Sequence, residues 1–264
     1  MSDITIVTAF FDIGRGDWTP EKGLPHYLHR TTDTYVERFG NLATLENDMV
    51  IYTSEDLIPK IEKLREGKKT TIIPVDYQNS FIDVRNKISE VQKSESYQSR
   101  INPYQKRNPE YWSADYVLVN ALKSTFISKS IDSNLCNHDL VAWVDFGYCR
   151  DMGTLYGVKH WKYDFDKDKI HLFTLKDYVE GTYIDQIIFN NDVHMVGGAI
   201  IAGKQGWKNL EYLVHNSLTQ LLDNNLVDDD QTLLLMSYLS AKDAFQLHRM
   251  SEALVLFRDY NKTE

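Results

Sequence analysis

Residues Asp139 to Asp151 read D-L-V-A-W-V-D-F-G-Y-C-R-D, and this stretch decides the fold. Leu140 to Val144 is an unbroken apolar run with two valines, the pattern of a strand buried on both faces. It stops at Asp145, Phe146 and Gly147, and Cys149, Arg150 and Asp151 follow. In open α/β sheets ligands bind outside the carboxyl ends of the strands. An acid at the end of a buried strand therefore predicts the edge of a binding or active site.

Upstream, Ile4 to Phe11 (I-T-I-V-T-A-F-F) is β-branched and aromatic and predicts a central parallel strand. Asp12, Gly14, Arg15 and Gly16 come next. Glycines after a first strand let a ligand approach the backbone, and Arg15 is placed to meet a phosphate or carboxylate; a plain surface turn fits the same residues equally well. The glycines do not have the spacing of a dinucleotide fingerprint. His26 to Phe39 is expected to be a helix, Met49 to Tyr52 a strand, Leu57 to Leu64 a helix capped at Ser54, and Thr70 to Val75 a strand. Strand and helix alternating at this spacing predict an α/β domain with a central, mostly parallel sheet flanked by helices.

Phe81 to Val91 reads as helical. Ser94 to Pro109 mixes charged and aromatic residues with prolines and is expected to be a loop that closes over the site, though a disordered crossover fits the same residues. Trp112 to Phe126 reads as one helix, with Tyr116, Asn120 and Lys123 on a single polar stripe. Trp161 to Phe173 alternates around D-F-D-K-D-K, the pattern of a hairpin turn. Its acids lack the glycine and distal glutamate of a calcium loop. Tyr178 to Asn190 is irregular or briefly helical, and Met195 to Ala202 (M-V-G-G-A-I-I-A) is an apolar strand. Its paired glycines mark close approach by a ligand or by another backbone. Trp207 to Leu222 is an amphipathic helix, and Asp228, Asp229 and Asp230 precede a further helix at Thr232 to Tyr238, where acids suit the helix start.

The chain has 264 residues, enough for one α/β domain with a substantial core, and no linker, repeat or low-complexity segment divides it. A net charge of −9 argues against a nucleic-acid scaffold but leaves room for a local basic pocket around one phosphate ligand. Aromatic residues make up 12%, including 16 tyrosines, which suits a groove lined with rings. Two cysteines are too few for a disulfide-built secreted fold, and reduced thiols are expected. The N-terminus has no signal-peptide pattern and no window is long enough to span a bilayer, so a cytoplasmic protein is expected.

Taken in order, Ile4 to Phe11, the Tyr116 to Lys123 helix, W-V-D-F-G at Trp143 to Gly147, G-G-A-I-I-A-G at Gly197 to Gly203 and D-D-D-Q at Asp228 to Gln231 resemble the nucleotide-sugar glycosyltransferases of the GT-A fold. More narrowly, the chain resembles the bacterial family named for the HtrL and YibB proteins, associated with surface polysaccharide and lipopolysaccharide gene clusters. The resemblance implies a single GT-A-like, Rossmann-type domain over residues 1–264. Residues 1–151 would form the nucleotide-sugar-binding half and residues 152–264 the acceptor-binding half. It implies transfer of a sugar from a nucleotide-diphosphate donor, with UDP expected, to a hydroxyl of a surface glycan or glycolipid, at the inner face of the cytoplasmic membrane.

The resemblance also implies roles. Thr8, Ala9, Phe10, Arg15, Tyr116, Asn120, Lys123, Asp145, Phe146, Gly147, Gly197 and Gly198 would bind the donor. In the wider fold an acidic D-x-D pair holds a divalent metal on the diphosphate. Asp145 matches its first acid, and Gly147 stands in place of the second. Mn²⁺ or Mg²⁺ at Asp145, with His248 as a late ligand, is the expected arrangement, since Mg²⁺ takes few protein ligands. Asp230 matches the base that deprotonates the acceptor, with Asp229 and Gln231 beside it. Arg15, Lys123, Arg150 and Arg249 are candidates to neutralise the leaving diphosphate. The alternatives are a metal-independent transferase, a sugar-phosphate nucleotidyltransferase, and an inactive glycan-assembly partner.

Overall fold

A computed structural model describes residues 2–261. Its strands are β1 (Ile4–Phe10), β2 (Met49–Thr53), β3 (Thr70–Pro74), β4 (Leu140–Val144), β5 (Ile170–Thr174), β6 (Met195–Gly203) and β7 (Phe245–Arg249). They form one seven-stranded sheet in the order β3-β2-β1-β4-β6-β5-β7, so strands from both halves of the chain share it. β3, β2, β1 and β4 run parallel, and β5 and β7 pair in parallel. β6 runs antiparallel to both of its neighbours. The expected α/β architecture with a mostly parallel central sheet holds, with β6 reversed.

The helices are α1 (Thr32–Leu42), α2 (Ile58–Leu64), α3 (Ile82–Lys93), α4 (Glu95–Gln98), α5 (Ala114–Ala121), α6 (Lys123–Asp132), α7 (Ile184–Asn190), α8 (Lys204–Asp223), α9 (Asp230–Ser240) and α10 (Leu256–Asp259). They cover both faces of the sheet. Alternate residues of β1 show the division: Val7 and Ala9 face a core shared with α3, α5, α6, α8 and α9, whereas Ile4, Ile6 and Phe10 face a core shared with α1, α2 and α10. Burial on both faces explains why these strands read as continuous apolar runs.

Four expectations are corrected. The helix expected from His26 begins at Thr32, because the Thr31 side chain accepts from the Thr34 backbone N–H and sets the start there. The helix expected from Trp112 to Phe126 is broken at Leu122 into α5 and α6. The hairpin expected across Trp161 to Phe173 is absent. Lys162 makes an isolated bridge to Asp3, and Trp161 packs its ring on Phe257 while its indole N–H donates to Tyr260 O. The alternation there reflects ring packing against the C-terminal segment.

The excursion from Ser94 to Pro109 does not close over the cavity at the strand ends. Tyr97 is fully buried and its hydroxyl donates to Val227 O at 2.8 Å, while Asn102 N–H donates to Phe189 O at 2.9 Å. The segment is pinned against α7 and the approach to α9.

Candidate functional site

The chain runs from β1 to β2 and β3 on one side, then crosses to β4 on the other side of β1. The carboxyl ends of β1 and β4 thus flank a topological switch point, where α/β sheets open a crevice. A cavity of about 350 Å³ lies there, walled by Ala9 to Ile13 at the end of β1 and beyond it, Trp143 and Asp145 to Tyr148 at the end of β4 and beyond it, and Met195 to Gly198 at the start of β6. The reversal of β6 is what brings its glycines to this edge: Asp145 N–H donates to Gly198 O at 2.9 Å.

The cavity wall contains two carboxylates. Asp12 spends one oxygen on Gly14 N–H and the other on the Thr32 hydroxyl. Asp145 accepts the Trp143 indole N–H at 2.7 Å on Oδ1, and the same oxygen lies 2.9 Å from Lys123 Nζ. Its Oδ2 has no hydrogen-bond partner among the described residues, and the side chain is 42% exposed. Asp145 therefore carries the open carboxylate oxygen of the cavity.

Lys123 organises what lies behind Asp145. It stands at the start of α6, and its ammonium donates to Gly197 O at 2.8 Å and to Asp230 Oδ2 at 2.6 Å. Burial pulls the ammonium pKa down, but Asp145 and Asp230 together outweigh it and the net shift is upward. Asp230 is buried, and burial pushes its carboxyl above the ordinary range against the pull of Lys123. Gly197 makes this packing feasible, since a Cβ there would sit 1.9 Å from Asp230 Oδ2.

Of the expected donor-site residues, Ala9, Phe10, Arg15, Tyr116, Asn120, Lys123, Asp145, Phe146, Gly147, Gly197 and Gly198 all line the cavity. Thr8 does not. It is fully buried within β1, and its hydroxyl has no hydrogen-bond partner among the described residues. Arg15 reaches the wall but is engaged with the protein, donating to Tyr35 Oη at 2.7 Å and to Leu28 O.

The expected catalytic acids are placed differently. Gln231 lines the cavity, whereas Asp229 and Asp230 do not. Asp229 caps α9 by accepting the Gln231 N–H, and Asp230 is held by Lys123. Both side chains are buried and point away from the cavity wall.

His248, expected as a late metal ligand, does not line the cavity. It sits on β7, with Nε2 2.8 Å from His171 Nδ1 and its ring among Phe165, Phe173 and Tyr260. The donor set does not fit a metal held by Asp145 and His248. One Asp145 oxygen already faces an ammonium, and no group of three or more His, Cys, Asp or Glu side chains is arranged for a metal among the described residues. Arg249 faces Asp177 at 3.6 Å, away from the wall. Both cysteines are free and buried.

Several wall residues were missed in the sequence: Arg30, Tyr35, Tyr148, Ala253 and Leu254. Tyr35 and Arg38 lie three apart on α1 and share a helix face, a usable signal. Ala253 arrives from the C-terminal segment, where its carbonyl accepts the Tyr148 hydroxyl, and nothing local announces that.

A set of buried carboxyls lies behind the site. Glu110 is pushed up to about 8 by burial, with the Asp229 charge adding, and Asp228 is pushed up to about 8 by burial, with Glu110 adding. Asp229 is raised by burial and then by Asp228 and Asp230. A carboxyl raised in the fold stays protonated where the unfolded chain has already ionised. Its stabilisation is full below the unfolded value near pH 4 and is lost as pH rises toward about 8. The free energy of unfolding, read from urea titrations, is therefore expected to fall from about pH 5 to about pH 8, by at most about 1.4 kcal/mol per pH unit for each such carboxyl. Glu110→Gln, which keeps the shape but cannot ionise, should flatten the slope; an unaltered slope in both Glu110→Gln and Asp228→Asn would reject this account.

Residues 2–261 match the family described as "Bacterial protein of unknown function (HtrL_YibB)". Protein HtrL of Escherichia coli (strain K12) is 45% identical over 250 residues, spanning 94% of this chain and 88% of that protein. With the family match running over nearly the whole length and a relative this similar, the chain belongs to the HtrL_YibB family of bacterial proteins.

Proposed function

We propose that the protein is a glycosyltransferase, moving a sugar from a nucleotide-diphosphate donor to a hydroxyl of a bacterial surface glycan or lipopolysaccharide acceptor. The observation that carries this reading is the cavity at the β1–β4 switch point. It combines an open carboxylate oxygen on Asp145, guanidinium groups and aromatic rings in one wall. Rings suit the faces of a nucleobase or sugar, and cations suit a leaving diphosphate.

In the reaction, the acceptor hydroxyl oxygen bonds to the anomeric carbon and the bond from that carbon to the diphosphate oxygen breaks. The electron pair leaves with the nucleoside diphosphate, and the hydroxyl proton passes to Asp145 Oδ2. Asp145 takes the role that the resemblance gave to Asp230, because it faces the cavity and Asp230 does not. Trp143 and Lys123 fix its other oxygen and so aim the free one.

Thermal shift against UDP-, GDP-, CMP- and dTDP-linked sugars tests the donor site, with at least one donor expected to raise the midpoint; failure of all four classes sinks the reading. With the donor so identified, Asp145→Asn should reduce turnover about 100-fold or more while donor binding persists. Unchanged turnover would remove Asp145 as the base.

A further inference from the structure

Three arginines besides Arg15 lie in or next to the cavity wall. Arg30 and Arg150 line it, and Arg38 lies beside Gly147, with its Cδ 3.8 Å from where a Gly147 Cβ would be. Arg38 is half-buried and its pKa is pulled down, by burial first and then by the positive charges of Arg30 and Arg150. No carboxylate pairs with any of the three guanidinium groups, and none of them donates a hydrogen bond, among the described residues. Elsewhere the protein supplies partners: Arg85 faces Asp115, Arg100 faces Asp185 and Arg258 faces Asp259. With 38 acidic residues against 29 basic ones, the chain does not lack carboxylates. Like charges gathered without counter-charges destabilise the free protein, and an anionic ligand offsets that repulsion.

The wall between these arginines and Asp145 is shaped against an acid pair. A Cβ at residue 147 would lie 2.9 Å from Tyr35 Cδ1 and 3.1 Å from Cε1. Tyr35 is in turn fixed by Phe10, at 4.7 Å between ring centroids, and by the Arg15 guanidinium on its hydroxyl. Position 147 is thus closed to a carboxylate side chain and bordered by positive charge, while Asp145 Oδ1 already serves an ammonium.

We infer that Arg30, Arg38 and Arg150 form a diphosphate-binding site that neutralises the phosphoanhydride directly, without a divalent cation. Guanidinium forks match phosphate oxygens in pairs, and three of them meet the several negative charges of a diphosphate better than a single phosphate would. The inference rests on the proposed donor reading for the identity of the whole ligand, but the anion site stands on its own geometry.

Isothermal titration of the full-length protein with inorganic pyrophosphate and with UDP, in EDTA, tests it. Both are expected to bind, and to weaken as salt is raised. Arg38→Gln and Arg150→Gln should each weaken binding about tenfold, whereas Arg107→Gln, outside the cavity wall, should not change it. Thermal unfolding of each variant checks that the fold is kept, and Arg150, being exposed, is the safer of the two substitutions. Absence of binding in EDTA, its appearance only with Mn²⁺ or Mg²⁺, or full affinity in both arginine variants overturns the inference. Pyrophosphate binding in EDTA with no nucleotide sugar bound leaves this site standing and removes the glycosyltransferase reading. Sugar transfer that strictly requires a divalent cation does the reverse.

Discussion

Lys123→Met is expected to lower the free energy of unfolding by about 3–5 kcal/mol, the usual range for removing one partner of a buried ion pair. Lys123 and Asp230 have side chains only 7% and 9% exposed, and they meet at 2.6 Å. Methionine fills much of the volume but leaves Asp230 Oδ2 and Gly197 O without their donor. Asp145 contributes less to the loss, since it is 42% exposed and water replaces the ammonium there. The deficit should grow with pH, because an unpaired Asp230 escapes part of the penalty by taking up a proton. Urea unfolding of Lys123→Met, Asp230→Leu and the double variant measures it. The double variant should recover much of the loss, since an apolar pair can replace a buried ion pair at little net change. A loss below about 1 kcal/mol in Lys123→Met would show that the pair does not hold the site together.

Gly197→Ala is expected to destabilise by about 3 kcal/mol, combining overpacking with disruption of the same ion pair. The added methyl would lie 1.9 Å from Asp230 Oδ2 and 2.5 Å from its Cγ, distances no side chain tolerates. Asp230 has little freedom to retreat, because Lys123 holds it and it begins α9. The neighbouring Gly198 is the control. A Cβ there would meet Tyr148 Cδ2 at 3.3 Å, which a shift of a few tenths of an ångström relieves. Gly198→Ala should therefore stay within about 1 kcal/mol of the parent. Equal losses in the two variants, read from chemical unfolding, would mean that the carboxylate is not what reserves position 197 for glycine.

Much of the fold was legible because burial on both faces writes itself into contiguous apolar runs. β1, β4 and β6 were read close to their observed limits for that reason. Tyr116, Asn120 and Lys123 all line the cavity, as the polar stripe implied, but helical periodicity accounts only for Tyr116 and Asn120 on α5, since the break at Leu122 puts Lys123 on α6. Less of the fold was legible where apolar alternation had a cause other than a ladder, as at Trp161 to Phe165, or where charge and rings suggested a loop closing over the site. Ser94 to Pro109 instead anchors a crossover, with Tyr97 buried completely.

The sequence by itself determined that an acid would stand at the end of a buried strand, and that glycines and a further acidic cluster would accompany it. Tertiary structure decided which acid faces the cavity. Asp230 lies 107 positions from Lys123 along the chain, and only the packing of α6, α9 and the reversed β6 turns it inward to meet that lysine. Asp145 keeps an outward oxygen because Trp143 and Lys123 occupy the other one. His248 became a partner of His171 because β7 pairs in register beside β5, placing it opposite Phe173. Periodicity and propensity are local and survive in the sequence, whereas the pairing of charges across a sheet edge depends on contacts that form only once the chain has closed.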